Sequence, residues 1–192
     1  MFPNHQWWAS RPPLPVPHIN PSVGGEVLKF SSAEIALAAF FAAAYAIGVT
    51  LLAPISFDPR FQVRVADALL PLSIIFGPPA ALGLGLGCSV ANFFGGYGIV
   101  DVVGGGVANF VACMLAWFID GKNASRRFLS CLAETIVVTI VVGSYLCLIF
   151  GIQIEISLLG VFIGSLISIN VLGFILLETL YRVDFIRKYA KR

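Results

Sequence analysis

The stretch Val65-Ala66-Asp67-Ala68-Leu69-Leu70-Pro71-Leu72-Ser73-Ile74-Ile75-Phe76 decides how this chain folds. It is an apolar run bounded by Arg60 and Arg64 on one side and by the turn Gly77-Pro78-Pro79 on the other. As an α-helix, about a dozen residues rise only about 18 Å, short of a ~30 Å hydrocarbon core. Starting the helix at Phe61 lengthens it but places Arg64 and Asp67 at membrane depth. Counting this run as a span gives six membrane crossings; leaving it out gives five.

Outward from it, the other apolar runs are clearer. Glu34 to Leu52 is preceded by Ser31 and Ser32 as N-caps and stopped by Pro54. Ala80 to Phe94 ends at Gly95-Gly96-Tyr97-Gly98. Ile99 to Ile119 precedes a polar loop from Asp120 to Arg127, and Phe128 to Phe150 precedes a short link with Gln153 and Glu155. Ile156 to Leu180 completes the set. The reading is an all-α integral membrane protein, a bundle of six transmembrane helices over residues 31–183 in the cell membrane. A disordered Pro-rich tail precedes it over residues 1–30 and a basic tail follows over 184–192.

Composition supports this class. Of 192 residues, 58% are hydrophobic and 11% charged, against about 25% charged in soluble domains. Mean hydropathy is +0.92. The net charge of +2 is small and gives no reason to expect a nucleic-acid partner. Cys88, Cys113, Cys131 and Cys147 lie in apolar stretches without metal-ligand spacing, so they read as small hydrophobes; no metal or cofactor is expected.

The basic residues orient the bundle. With six spans, ten of the twelve Lys and Arg fall on one side: Arg11, Lys29, Lys122, Arg126, Arg127, Arg182, Arg187, Lys188, Lys191 and Arg192. Only Arg60 and Arg64 fall on the other, so both termini are expected to be cytoplasmic. Five spans exchange Arg11 and Lys29 for Arg60 and Arg64 and leave the same split, so charge alone does not choose.

Small residues mark packing faces. Ala38, Ala42 and Ala46 recur every fourth residue on the first helix, a stripe suited to close helix contact, either inside the bundle or with another membrane protein. Gly104-Gly105-Gly106 either packs tightly or breaks the fourth helix.

Polar groups at membrane depth are costly and mark function by default. Arg64, Asp67, Asn92, Tyr97, Asp101, Asn109, Tyr145 and Glu155 converge on the outer half, and Asn170 lies near the middle of the sixth helix. Together they are candidates for a solute-binding cavity open to the outside, suited to a small, flat, hydrogen-bonding molecule. Bland readings stand beside this one. Arg64 and Asp67 are spaced to pair with each other, Asp101 and Glu155 to favour helix N-termini, and Glu134 and Glu178 to pair with Arg127 and Arg182. Catalysis finds no support: there is no phosphate-binding loop, no H-E-x-x-H and no G-x-S-x-G, and the only histidines, His5 and His18, lie in the Pro-rich tail.

The stretch Phe61–Leu72, with Arg64 and Asp67, resembles the arginine-plus-acid motif of the QueT family, which more usually has glutamate at the Asp67 position. Phe76–Ala80, Gly83–Gly96 and Gly98–Gly104 are also similar to that family. The resemblance is strongest over 61–112, runs diffusely across 30–180 and does not cover the Pro-rich tail. It implies a substrate-binding (S) component of an energy-coupling factor transporter, a six-helix bundle that captures queuosine or archaeosine precursors, the 7-deazaguanines. A separate scaffold membrane subunit and ATPase subunits would supply the energy. It also implies that Ala38, Ala42 and Ala46 contact the scaffold. An S component for another vitamin-like solute, and a purely structural membrane protein, are the alternatives.

Overall fold

The computed structural model describes residues 30–57, 63–119 and 121–183. The expectations for the tail before Phe30, for Arg60, for Asp120 and for the basic tail from 184 lie outside the described residues.

Helix α1 (Ser32–Leu51) begins as its sequence predicts. Ser31 Oγ accepts from the Glu34 amide at 3.3 Å, and Glu34 Oε2 accepts from the Ser31 amide at 2.7 Å, a complete capping box. Pro54 does not merely stop the chain but sits in the first turn of a short helix α2 (Ala53–Ser56), where its missing N–H costs nothing.

The deciding run is a 3₁₀ helix (Val65–Leu72) continued by one α turn, α3 (Ser73–Phe76). At 3₁₀ and α rises these residues cover about 22 Å, still less than the hydrocarbon thickness. The shortfall is resolved by position. The segment lies between α1 and the last helix and also touches α4 (Pro78–Gly95), α5 (Ile99–Ile119) and α6 (Ala124–Phe150). Leu70 through Ile75 are all buried. A short, irregular helix is tolerated at membrane depth when protein rather than lipid surrounds it.

Gly77 (φ +66°, ψ −150°) makes the turn into α4 in a conformation that only glycine adopts easily, and Pro78 opens that helix. The α4–α5 and α6–α7 connections are short, so these neighbours pack as hairpins. The last rod runs from Ile154 to Tyr181 as α7 (Ile154–Ser165), a π-helical stretch (Leu166–Gly173) and α8 (Phe174–Tyr181). Nothing in its apolar sequence signals the π stretch.

The glycines act by close approach. A Cβ on Gly83 would collide with the Ala38 carbonyl oxygen, and one on Gly87 would stand 2.6 Å from that of Ala42. Hence α1 and α4 meet backbone to backbone. Gly104, Gly105 and Gly106 do not break α5, which is continuous; their bare faces admit the Tyr145 ring, the Asn92 amide and Ser89.

Among the described residues four helices are long and apolar enough to cross a membrane: Ser32–Leu51, Ile99–Ile119, Ala124–Phe150 and Ile154–Tyr181. No strand occurs among the described residues. Phe93, Ile99, Phe118 and Leu148 are each at least 70% exposed, a surface that lipid solvates and water does not.

Gly83→Ala is expected to cost about 1–3 kcal/mol through overpacking against α1. Ala39→Leu, on the exposed side of α1, should stay within about 0.5 kcal/mol of wild type. Thermal melts of the two variants in the same detergent check the contrast.

Candidate solute-binding site

Asp101 stands in the first turn of α5, fully buried. Its Oδ1 accepts a hydrogen bond from the Tyr145 hydroxyl of α6 at 2.9 Å and lies 3.8 Å from Arg64 Nη2. Arg64 immediately precedes the 3₁₀ helix, and its side chain is 6% exposed. From the last turn of α4, Asn92 Nδ2 donates to the Asp101 backbone carbonyl at 2.7 Å, through the gap left by Gly105. Arg64 Nη1 also reaches Cys88 Sγ at 3.6 Å, and its guanidinium lies 5.7 Å from the Phe57 ring centroid. The expected Arg64–Asp67 pairing is not formed. Arg64 is taken by Asp101, and Asp67 Oδ1 instead accepts from the Tyr45 hydroxyl of α1 at 2.5 Å.

Several polar atoms in this cluster are buried without a hydrogen-bond partner among the described residues: Arg64 Nε and Nη2, Asn109 Nδ2, Asn92 Oδ1 and Asp101 Oδ2. Leaving such groups unsatisfied costs about 1–3 kcal/mol each, more when charged, so a native chain keeps them for a reason. Both donors and acceptors stand open. Arg64, Asp67 and Asn109 line a cavity together with Val138, Val142, Val161 and Ser165, with room for about one water molecule.

Six of the sequence-predicted residues come together here: Arg64, Asp67, Asn92, Asp101, Asn109 and Tyr145. Tyr97 sits at the edge, where its hydroxyl donates to the Phe57 carbonyl at 2.5 Å and its ring meets Phe57 and Phe150 edge to face. Glu155 is exposed in the first turn of α7 and does not join the cluster. Asn170 lies in the π stretch, where its Oδ1 accepts from the Thr135 hydroxyl at 2.6 Å. Sequence reasoning missed Tyr45, Cys88, the three valines and Ser165. In a helix that is apolar all round, only the four-residue spacing of Phe41, Tyr45 and Val49 marks the inward row.

Two further pairings differ from expectation. Arg127 takes Glu178 in a fork, at 2.5 and 3.0 Å, and lies over the Tyr181 ring. Glu134 has no such cation among the described residues: Ser73 Oγ donates to its Oε1 at 3.4 Å and also lies 3.2 Å from the Cys113 carbonyl. The alanine stripe divides as well. Ala38, Ala42 and Ala46 are half-buried, the first two against the α4 glycines, whereas Ala36, Ala39 and Ala43 are open.

The family model described as QueT transporter matches residues 35–182. The chain belongs to the QueT transporter family. No curated protein and no solved structure matches it. The matched region contains every residue of the buried cluster, and the apolar helices make this QueT protein a multi-pass membrane protein with a transport role.

Asp101→Ala in this QueT protein strands the Arg64 guanidinium and is expected to cost about 3–5 kcal/mol, whereas Tyr145→Phe removes one hydrogen bond and about 0.5–1.5 kcal/mol. The double replacement Arg64→Met with Asp101→Leu should recover most of the stability lost in Asp101→Ala. Chemical or thermal denaturation of the purified variants reads all three.

Proposed function

We propose that this chain is the solute-capture (S) component of an energy-coupling factor transporter and that its solute is a 7-deazaguanine precursor of queuosine or archaeosine. The observation that carries this reading is the unpartnered set around Asp101. A deazaguanine offers adjacent N–H donors on one edge and a carbonyl acceptor beside them. Asp101 Oδ2 and Asn92 Oδ1 are free acceptors for the ring N–H, Asp67 lines the same cavity on the side of the exocyclic amino group, and Arg64 and Asn109 are the free donors for the carbonyl. Glu155 and Asn170, placed elsewhere, have lesser claims on the solute, and Tyr97 is suited to the rim. A bicyclic ring exceeds the present cavity, so capture requires the central segment to part from the valine wall of α6 and α7.

In this reading the segment 65–76 and α4 complete six spans, with both termini cytoplasmic. The outer face of α1, where open Ala36, Ala39 and Ala43 lie beside half-buried Ala38, Ala42 and Ala46, docks on a scaffold subunit that carries the ATPases. One observation favours a second solute class. The wall opposite Arg64 and Asp67 is valine rather than an aromatic ring, which also suits a less planar vitamin-like molecule.

Saturating 7-deazaguanine, at about a hundred times its Kd, should stabilise the purified protein by about 2.7 kcal/mol, a rise in Tm of about 5–10 °C. A response to a different vitamin-like solute with none to 7-deazaguanine overturns the substrate. Ala39→Leu with Ala43→Leu should abolish co-purification with the scaffold and ATPases while leaving solute binding intact; unchanged co-purification overturns the docking face.

A further inference from the structure

We propose that Tyr45 is a positioning residue of the solute site, holding the Asp67 carboxylate so that its second oxygen faces the cavity. The inference rests on the solute-capture reading of that cavity. Tyr45 is fully buried in the inward row of α1, between Phe41 and Val49, so its ring has one place to stand. Its hydroxyl donates to Asp67 Oδ1 at 2.5 Å. It is the one hydrogen-bond donor to that carboxylate among the described residues.

Asp67 needs such a holder. It lies in the first turn of a 3₁₀ helix and lines the cavity beside Arg64 and Asn109. The cation three residues before it, its natural local partner, is committed to Asp101. Without Tyr45 the carboxylate is free to rotate and to compete with Asp101 for the Arg64 guanidinium. With Tyr45 in place, Oδ1 is occupied, and Oδ2 is left to accept an N–H from a solute. Asp67 thereby selects for a solute that presents a donor on the edge it faces, and Tyr45 sets the sharpness of that choice without touching the solute.

The test uses the full chain in detergent and two probes: 7-deazaguanine and the analogue lacking the exocyclic 2-amino group. Tyr45→Phe keeps the ring and deletes only the hydroxyl. It is expected to weaken 7-deazaguanine binding about tenfold and to narrow the preference between the two probes. Asp67→Asn should do the same, and adding Tyr45→Phe to Asp67→Asn should change nothing further, because the tyrosine acts through the carboxylate. Affinity and preference within about twofold of wild type in Tyr45→Phe, or effects of the two substitutions that multiply, overturn the inference. Wild-type protein that binds neither probe defeats the substrate reading. In that case the infrared band lost in Asp67→Asn decides: a shift of that band in Tyr45→Phe supports the positioning role, and an unchanged band overturns it.

Discussion

Arg64 and Asp101 face each other in a place where neither is stable alone. Moving one unpaired charge into the interior costs several kcal/mol, so each holds the other in position. Four elements converge on the pair: the start of the 3₁₀ helix brings Arg64, α5 brings Asp101, α4 brings Asn92 and α6 brings Tyr145. The bare faces of Gly104 and Gly105 belong to the same arrangement, since any side chain there would push out Tyr145 or Asn92. The packing of these four elements is thus organised around a polar pair that is only partly satisfied by protein.

The short segment between Val65 and Phe76 explains how such a pair survives in a membrane. Because it is wrapped by helices rather than by lipid, it need not reach both interfaces and need not be regular. Its 3₁₀ winding brings Arg64 and Asp67 to one cavity while sending them to different partners, Asp101 and Tyr45. The π stretch in the last helix packs against this segment, with Gly173 set so that a Cβ there would stand 2.9 Å from Pro71. Two irregular helices therefore share an interface.

Much of this was legible in the sequence because polar residues stand out against an apolar chain. Arg64, Asp67, Asn92, Asp101, Asn109 and Tyr145 announced themselves, as did the Ser31 cap and the Gly77 turn. Partners were harder. Spacing along the chain suggested Arg64 with Asp67, but tertiary contacts gave Arg64 to Asp101, exposure separated Glu155 from the cluster, and the Thr135 hydrogen bond holds Asn170 elsewhere. In helices that are hydrophobic all round, no moment distinguishes the face toward protein from the face toward lipid. For that reason Tyr45 did not stand out, and the Ala38–Ala42 stripe read as a close-packing face, given to a scaffold only by family resemblance, whereas those two alanines meet the α4 glycines.

The most direct measurement of the central claim is an experimental structure of the protein with 7-deazaguanine bound. The account predicts ligand density between Arg64, Asp101 and Asn109, with the free oxygen of Asp101 within hydrogen-bond distance of ring or amino N–H groups and the valine wall displaced outward. Density elsewhere on the protein, with the Arg64–Asp101 cluster unchanged and its polar atoms met only by water, would contradict it.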